Sequence, residues 1–239
     1  MGEGDDRHAR SKVAPPPHFL VSMPSLRPVS LRLGTQSQAD GSAEMRQGLS
    51  HVLASVFGPV AEPRVKEELI DRARVVVTVE SATGGRGGDR ERMIEMLVQT
   101  TLESSIVAHL HPRTLIRIAV HLLHDDGAIA ALAVNAAVMA LVDAGVPMRT
   151  VPTAAACAIL ATDDDAPEII LDPTLEQETA SSAALAFSFA TAKSASASLA
   201  SSAEGAFSAA ELDAAAATTG AGANTMRVML RSFVNKTVQ

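Results

Sequence analysis

Four groups of residues in this 239-residue chain have types and spacings that could do chemistry. His121, His124, Asp125 and Asp126 bring two imidazoles and two carboxylates into six positions, the donor types of a metal site. In an extended strand, however, a three-residue step puts His121 and His124 on opposite faces. A strand end followed by an Asp-Asp-Gly turn is the favoured reading. Gly84-Gly85-Arg86-Gly87-Gly88 leads into a helical segment, and helix N-termini attract phosphate. A Walker loop needs a Gly-Lys-Ser/Thr word that is absent here, which favours a flexible loop over a nucleotide site. Asp163-Asp164-Asp165 could chelate a cation, but it lacks the alternating spacing and glycine of a calcium loop, so it reads as an acidic surface loop. Cys157 sits in an apolar run with no CxxC and no base beside it, which makes it a small core residue rather than a nucleophile. No metal and no other cofactor is expected.

The bulk composition narrows the field further. Apolar residues make up 47% of the chain, enough for a sizeable core, but aromatics only 3%, with no Trp and no Tyr. The core must be built from Ala, Val, Leu, Ile and Met, and with six Phe as the only aromatics the composition disfavours a nucleic-acid binder that stacks bases on exposed rings. A protein that binds RNA chiefly by neutralising phosphates is basic overall. This chain has a formal charge of −7, so any such contact must come from a local arginine cluster. One cysteine rules out an internal disulfide framework and fits a reducing compartment such as cytosol or nucleus. Met1 to Ser11 is charged and polar without an apolar stretch, so no secretory signal is expected. No run of about 18 apolar residues predicts a membrane span.

These residues need elements to position them. Residues 1–22, charged and then Pro-rich, are expected to be a disordered tail, and 23–239 a single domain. Leu26 to Pro59 reads as a β-meander, with turns at Gly34, Ala39 to Ser42 and Gly48. Val75 to Val79 is a β-branched strand. Ile94, Leu97, Val98, Leu102, Ile106 and Leu110 recur at helical steps and predict a helix from Asp89 to Leu110, stopped by Pro112. Leu115 to Leu123 is a strand. Leu132 to Ala144 is an Ala-rich helix, apolar on nearly every side and therefore buried, with Gly145 as its C′ residue. Ala154 to Leu160 and Glu168 to Leu171 form a hairpin, and Leu185 to Ala190 another strand. Ser194 to Gly205 reads as a low-complexity connector. Ser208 and Glu211 fit a capping box opening a last helix, which Gly220-Ala221-Gly222 could split. Strands, helix, strand, buried helix, strands and helix suggest an α+β layered sandwich.

Several words of the sequence resemble the RNase PH family. Leu26-Arg27-Pro28-Val29 is similar to its opening strand, and Ala39-Asp40-Gly41-Ser42 with Val52-Leu53-Ala54 to the hairpin that follows. Asp126-Gly127, Asn135-Ala136-Ala137 and Ala140 to Met148 resemble its central turn and helix. Leu171-Asp172-Pro173-Thr174 with Glu178 resembles the strand and turn that carry part of the active site. Leu110-His111-Pro112-Arg113-Thr114 and Ala140 to Met148 are most similar to one class of ring subunit of the eukaryotic RNA exosome.

The resemblance implies an RNase PH fold, the ribosomal protein S5 domain 2-like sandwich, and a specific test of activity. Active members cleave RNA phosphorolytically from the 3′ end. A reaction on a charged phosphate needs donors and cations placed around it. The turn that holds phosphate in active members corresponds to Ala128-Ile129-Ala130, which offers neither hydroxyl nor guanidinium. Of the expected acidic pair, the first position is Glu178 and the second is Ala184. Of the arginines that grip RNA, Arg90 matches one, while Met96 and Thr100 replace others. The implied role is a non-catalytic subunit of the six-membered exosome ring. Its partners would be other RNase PH-like subunits, cap subunits and an associated hydrolytic nuclease, with RNA threading the channel. The implied location is nucleus, nucleolus and cytoplasm, and the pathways are rRNA maturation and RNA turnover. Arg86, Arg90 and Arg92 are the RNA-contact candidates, set against ordinary solvated charges at a helix start. The alternative is an active phosphorolytic exoribonuclease that uses Glu178, Asp172 and Arg90 differently. A third reading, a free RNA-binding module, is opposed by the acidic balance.

Overall fold

The computed structural model of the chain describes residues 20–21, 26–61, 68–82, 88–160, 168–190 and 198–237. It contains two five-stranded sheets. One holds β2 (Val29–Leu33), β3 (Gly41–Gln47), β4 (Ser50–Ala61), β5 (Arg74–Ser81) and β6 (Thr114–His124), in the order β2-β3-β4-β6-β5. The expected meander is its antiparallel half, and β5 joins β6 in parallel. The other sheet holds β1 (Leu20–Val21), β7 (Thr153–Leu160), β8 (Glu168–Leu171), β9 (Ala183–Phe189) and β10 (Ser198–Gly205), in the order β1-β8-β7-β9-β10. The hairpin read from Ala154 to Leu171 is β7 and β8.

Between the sheets lie α1 (Asp89–Ser105) and α2 (Ile129–Asp143), and α4 (Ala209–Thr237) covers the far face of the second sheet. This is the α+β layered sandwich that the element order implied. Strands of both sheets meet α2, which is why it is apolar all round and buried everywhere except Ala130, Val142 and Asp143. Its small alanines let two sheets approach one helix closely, while Leu132, Met139 and Leu141 fill the gaps, each contributing roughly 1.5–3 kcal/mol by burial. The one polar side chain in its middle, Asn135, is fully buried and satisfied: Nδ2 donates to the Ala154 carbonyl at 2.9 Å, and Oδ1 accepts from the Ala154 N–H at 2.8 Å. That pair ties α2 to the start of β7. The helix ends as the glycine signal predicts. Gly145 takes φ 68°, its N–H reaches the Val142 carbonyl and the Val146 N–H the Leu141 carbonyl, a Schellman cap.

Several expectations are corrected. The helix predicted to Leu110 ends at Ser105, because Ile106 turns extended to bridge Met148 and the Val107 N–H bonds the Pro147 carbonyl. Tertiary pairing stops it before Pro112 does. The connector at Ser194 to Gly205 contains a strand, β10, antiparallel to β9. It has no β-branched residue; what defines it is the open edge of β9. Buried Ser188 helps by donating to the Ala200 carbonyl at 3.2 Å and accepting from the Ala200 N–H at 3.1 Å. Gly220-Ala221-Gly222 does not break α4. A Cβ at Gly222 would run into Leu171, so that glycine marks close helix–sheet packing. Finally, Leu20–Val21, read as part of the tail, pair in parallel with β8; residues 1–19 lie outside the described residues.

Candidate functional site

The site begins with two turns that need each other. Asp125-Asp126-Gly127 links β6 to α2, and Asp172-Pro173-Thr174 links β8 to α3 (Leu175–Ala180). Gly127 holds φ 85°, and a Cβ there would sit 2.5 Å from the Pro173 carbonyl oxygen, so only glycine allows the turns to touch. The Leu175 N–H then bonds the Asp126 carbonyl at 3.2 Å. A capping box starts α3: Thr174 accepts from the Gln177 N–H, and the Gln177 side chain accepts from the Thr174 N–H.

Arg27 locks the two turns together. Its Nη1 donates to the Asp126 carbonyl at 2.8 Å and to the Asp126 carboxylate at 3.3 Å. Its Nη2 donates to Asp172 Oδ1 at 2.7 Å and to the Gly127 and Pro173 carbonyls. Its own N–H reaches Asp172 Oδ2 at 2.8 Å. The side chains are 16% and 3% exposed for Arg27 and Asp172. Asp172 is therefore committed to holding structure, and its position at φ 55° is held by those bonds.

Above this clasp, Ala128 is the N-cap of α2 in the left-handed region, φ 54°, with no side-chain oxygen to cap the first turn. Its N–H donates instead to Glu178 Oε1 at 2.6 Å, across from α3. Glu178 Oε2 accepts from Arg90 Nη2 at 3.3 Å, and Arg90 Nη1 pairs with Asp125 at 3.0 Å. Burial pushes the Glu178 carboxyl above its ordinary range; the Ala128 amide and the Arg90 charge pull it back, while Asp125 adds to the rise. Arg90, on the first turn of α1, thus has its charge matched by two carboxylates.

These groups surround a half-open cavity of about 60 Å³. Ala128, Ile129, Ala130, Glu178 and Ala184, the five positions read as a degenerate site, all line it, and so does Arg90. The other arginine candidates are not brought in. Arg92 stays on the exposed side of α1 beside Asp89 at 3.7 Å, while Arg86 and the glycines at 84, 85 and 87 lie outside the described residues. Met96 and Thr100 are exposed on α1. Sequence reasoning misses Ser202 and Glu204, which line the cavity from β10. Glu204 pairs in register with Ala184, so a carboxylate stands across the strand from the position where the resemblance implies a second acid. No sequence signal points to it, because its segment reads as a connector.

The remaining candidates resolve elsewhere. His121 sits 3.6 Å from Glu80 across β5 and β6, and His124 faces His51 in the β4–β6 register. Cys157 is fully buried in β7, where burial pushes its thiol up to about 12 and away from any role as a nucleophile at neutral pH. Asp163-Asp164-Asp165 lies outside the described residues.

Models of the 3′ exoribonuclease family match most of the chain, domain 1 over residues 25–147 and domain 2 over 150–219. The chain belongs to the 3′ exoribonuclease, or RNase PH, family. Its first family segment carries β2 to β6 with α1 and α2; its second carries β7 to β10, α3 and the start of α4. Exosome complex component rrp46 of Schizosaccharomyces pombe is 35% identical over 127 residues, 53% of this chain and 55% of that protein. Exosome complex component RRP41 of Homo sapiens is 41% identical over 134 residues, 52% of this chain and 54% of that protein. The matched stretch spans about half the length of these curated relatives. The crystal structure of rice (Oryza sativa) Rrp46 superimposes with a TM-score of 0.79 at 26% identity, covering 88% of this chain and 96% of the rice chain. The cavity lies where the two family segments meet, with Arg90 and Ala128 from the first and Glu178 and Ala184 from the second.

Proposed function

We propose that this chain is a non-catalytic subunit of the RNA exosome core ring, of the ribosomal RNA-processing protein 46 type. It supports 3′-to-5′ RNA processing and decay by an associated nuclease. Its partners are other RNase PH-like ring subunits, with cap subunits above them and RNA passing through the channel. On the same reading it works in nucleus, nucleolus and cytoplasm, in rRNA maturation and RNA turnover. The relatives named as exosome components and the likeness to rice Rrp46 support ring membership. The observation that carries the silent half is the lining of the cavity. Where phosphate must be gripped, Ala128, Ile129 and Ala130 supply only backbone and apolar side chains, Ala184 supplies no acid, and Arg90 is already neutralised by Asp125 and Glu178. Phosphoryl chemistry depends on cations and donors free to follow the transferring charge.

The test is to incubate the purified chain with 3′-tailed RNA and phosphate and to measure nucleoside diphosphate. None is expected. Diphosphate release that disappears with Glu178→Ala would overturn the reading. One observation favours the active-enzyme alternative: Glu204 lines the cavity opposite Ala184. In that case Glu204→Ala would abolish the release as well.

A further inference from the structure

At the other end of α2 from the cavity, about 20 Å along the helix, a second hollow opens between α2, the approach to β7 and the last turns of α4. Its volume is about 480 Å³, within the range of built binding sites. Met139 and Val142 of α2 and Val151 before β7 make its wall aliphatic. On α4, buried Met226 and Leu230 anchor the helix in the same core as α2. One face of that helix then lies along the hollow: Arg227, Arg231 and Val234 follow one another at four- and three-residue steps. Val228 stands at the solvent rim, 65% exposed.

The charge of this face runs against that of the chain. The formal charge is −7 overall, yet no acid follows Asp213, while Arg227, Arg231 and Lys236 do. Among the described residues, neither Arg227 nor Arg231 has a carboxylate partner. We propose that the hollow is a docking groove for a helical peptide segment of another protein, aliphatic on one face and carrying Asp or Glu at one-turn spacing beside it. Leucine-type side chains at three- and four-residue steps fill the aliphatic wall, the helix-in-groove mode of recognition. Carboxylates one turn apart meet two guanidiniums one turn apart. A fatty acid brings a single anion to two arginines, and a nucleic acid leaves the aliphatic wall wet. None of these residues belongs to the cavity at the start of α2, so the groove is independent of the silent-subunit reading.

The test titrates the full chain into a labelled synthetic peptide with leucines at the a and d positions of two heptads and glutamates elsewhere, read by fluorescence anisotropy. Saturable binding is expected, weakening as salt rises, with the methyl resonances of Val142 and Val228 shifting on saturation. A peptide of the same composition with its leucines scattered round the helix, and one with lysine in place of glutamate, should each bind at least about tenfold more weakly. Reversing both cations in Arg227→Glu/Arg231→Glu should cost a similar factor. Arg231→Glu alone, at an exposed position that leaves the fold intact, should cost part of it. No saturable binding, equal affinity for the scattered or the lysine peptide, or affinity unchanged by the substitutions would overturn the proposal. Displacement of the peptide by submicellar laurate at lower concentration would overturn it in favour of a lipid. Self-association of the chain that Arg231→Glu abolishes would overturn it in favour of a second copy.

Discussion

Two arginine–carboxylate groups lie side by side and differ in almost everything but composition. Arg27 with Asp126 and Asp172 is deeply set: Asp172 is 3% exposed, and the guanidinium meets carbonyls as well as carboxylates. Arg90 with Asp125 and Glu178 is half in solvent and pairs with the two acids. The first joins two turns and leaves its acids no freedom. The second has room, and the cavity beside it. Charge type therefore says little about role here. The number of fixed acceptors and the depth of burial decide which triad is frame and which is adjustable.

The largest expected effect breaks the frame. Arg27→Ala takes the guanidinium from the buried Asp172 carboxylate and from three turn carbonyls, leaving Asp172 with only the backbone N–H of residue 27, and should cost about 3 kcal/mol in a urea unfolding experiment. A loss below about 1 kcal/mol would erase the distinction between the two triads. Arg90→Ala, by contrast, removes partly solvated pairs and should cost less than about 1 kcal/mol by the same measurement.

The smallest effect appears only as a change with pH. The folded Glu178 carboxyl titrates above its ordinary value of 4.5, chiefly through burial. The protonated form is thus relatively favoured by folding. Stability from this group is fully present below the unfolded value and is lost as pH rises through the folded one. Compared with Glu178→Gln, which does not titrate, wild type should lose ground as pH climbs from 4.5 through the carboxylate range and then level off. A relative gain over that range would mean that Arg90, not burial, governs the site, and that the second triad is tighter than its exposure suggests.

Much of the site is legible in the sequence. Ala128-Ile129-Ala130 stands well apart along the chain from Glu178 and Ala184, yet their places in family words single them out, and they line one cavity. Arg90 joins them because the first turn of α1 faces the turn before α2. Glu204 and Ser202 are not legible. Their strand, β10, is mostly small and polar residues, and only the edge of β9 and the buried Ser188 make it a strand. Arg27 is visible as part of a family word, but nothing local distinguishes a clasp from a surface arginine. Its acceptors lie 99 to 146 residues away.

By itself, the sequence determined the elements whose periodicity or local bonding is strong: the meander, the buried alanine helix with its Gly145 stop, and the capping box at Ser208. Such patterns are written in neighbouring residues, so those elements need no distant partner to be recognised. Only the tertiary structure decided where α1 stops, that β10 exists, and which arginine holds the frame. Each of those depends on a pairing across the chain, between Ile106 and Met148, Ala184 and Glu204, or Arg27 and Asp172. The proposed silence of the cavity has both origins. The absence of the hydroxyl and second acid that the resemblance implies is read from residue types, whereas the pairing of Arg90 with Asp125 and Glu178 is a matter of where α1 and α3 come to rest.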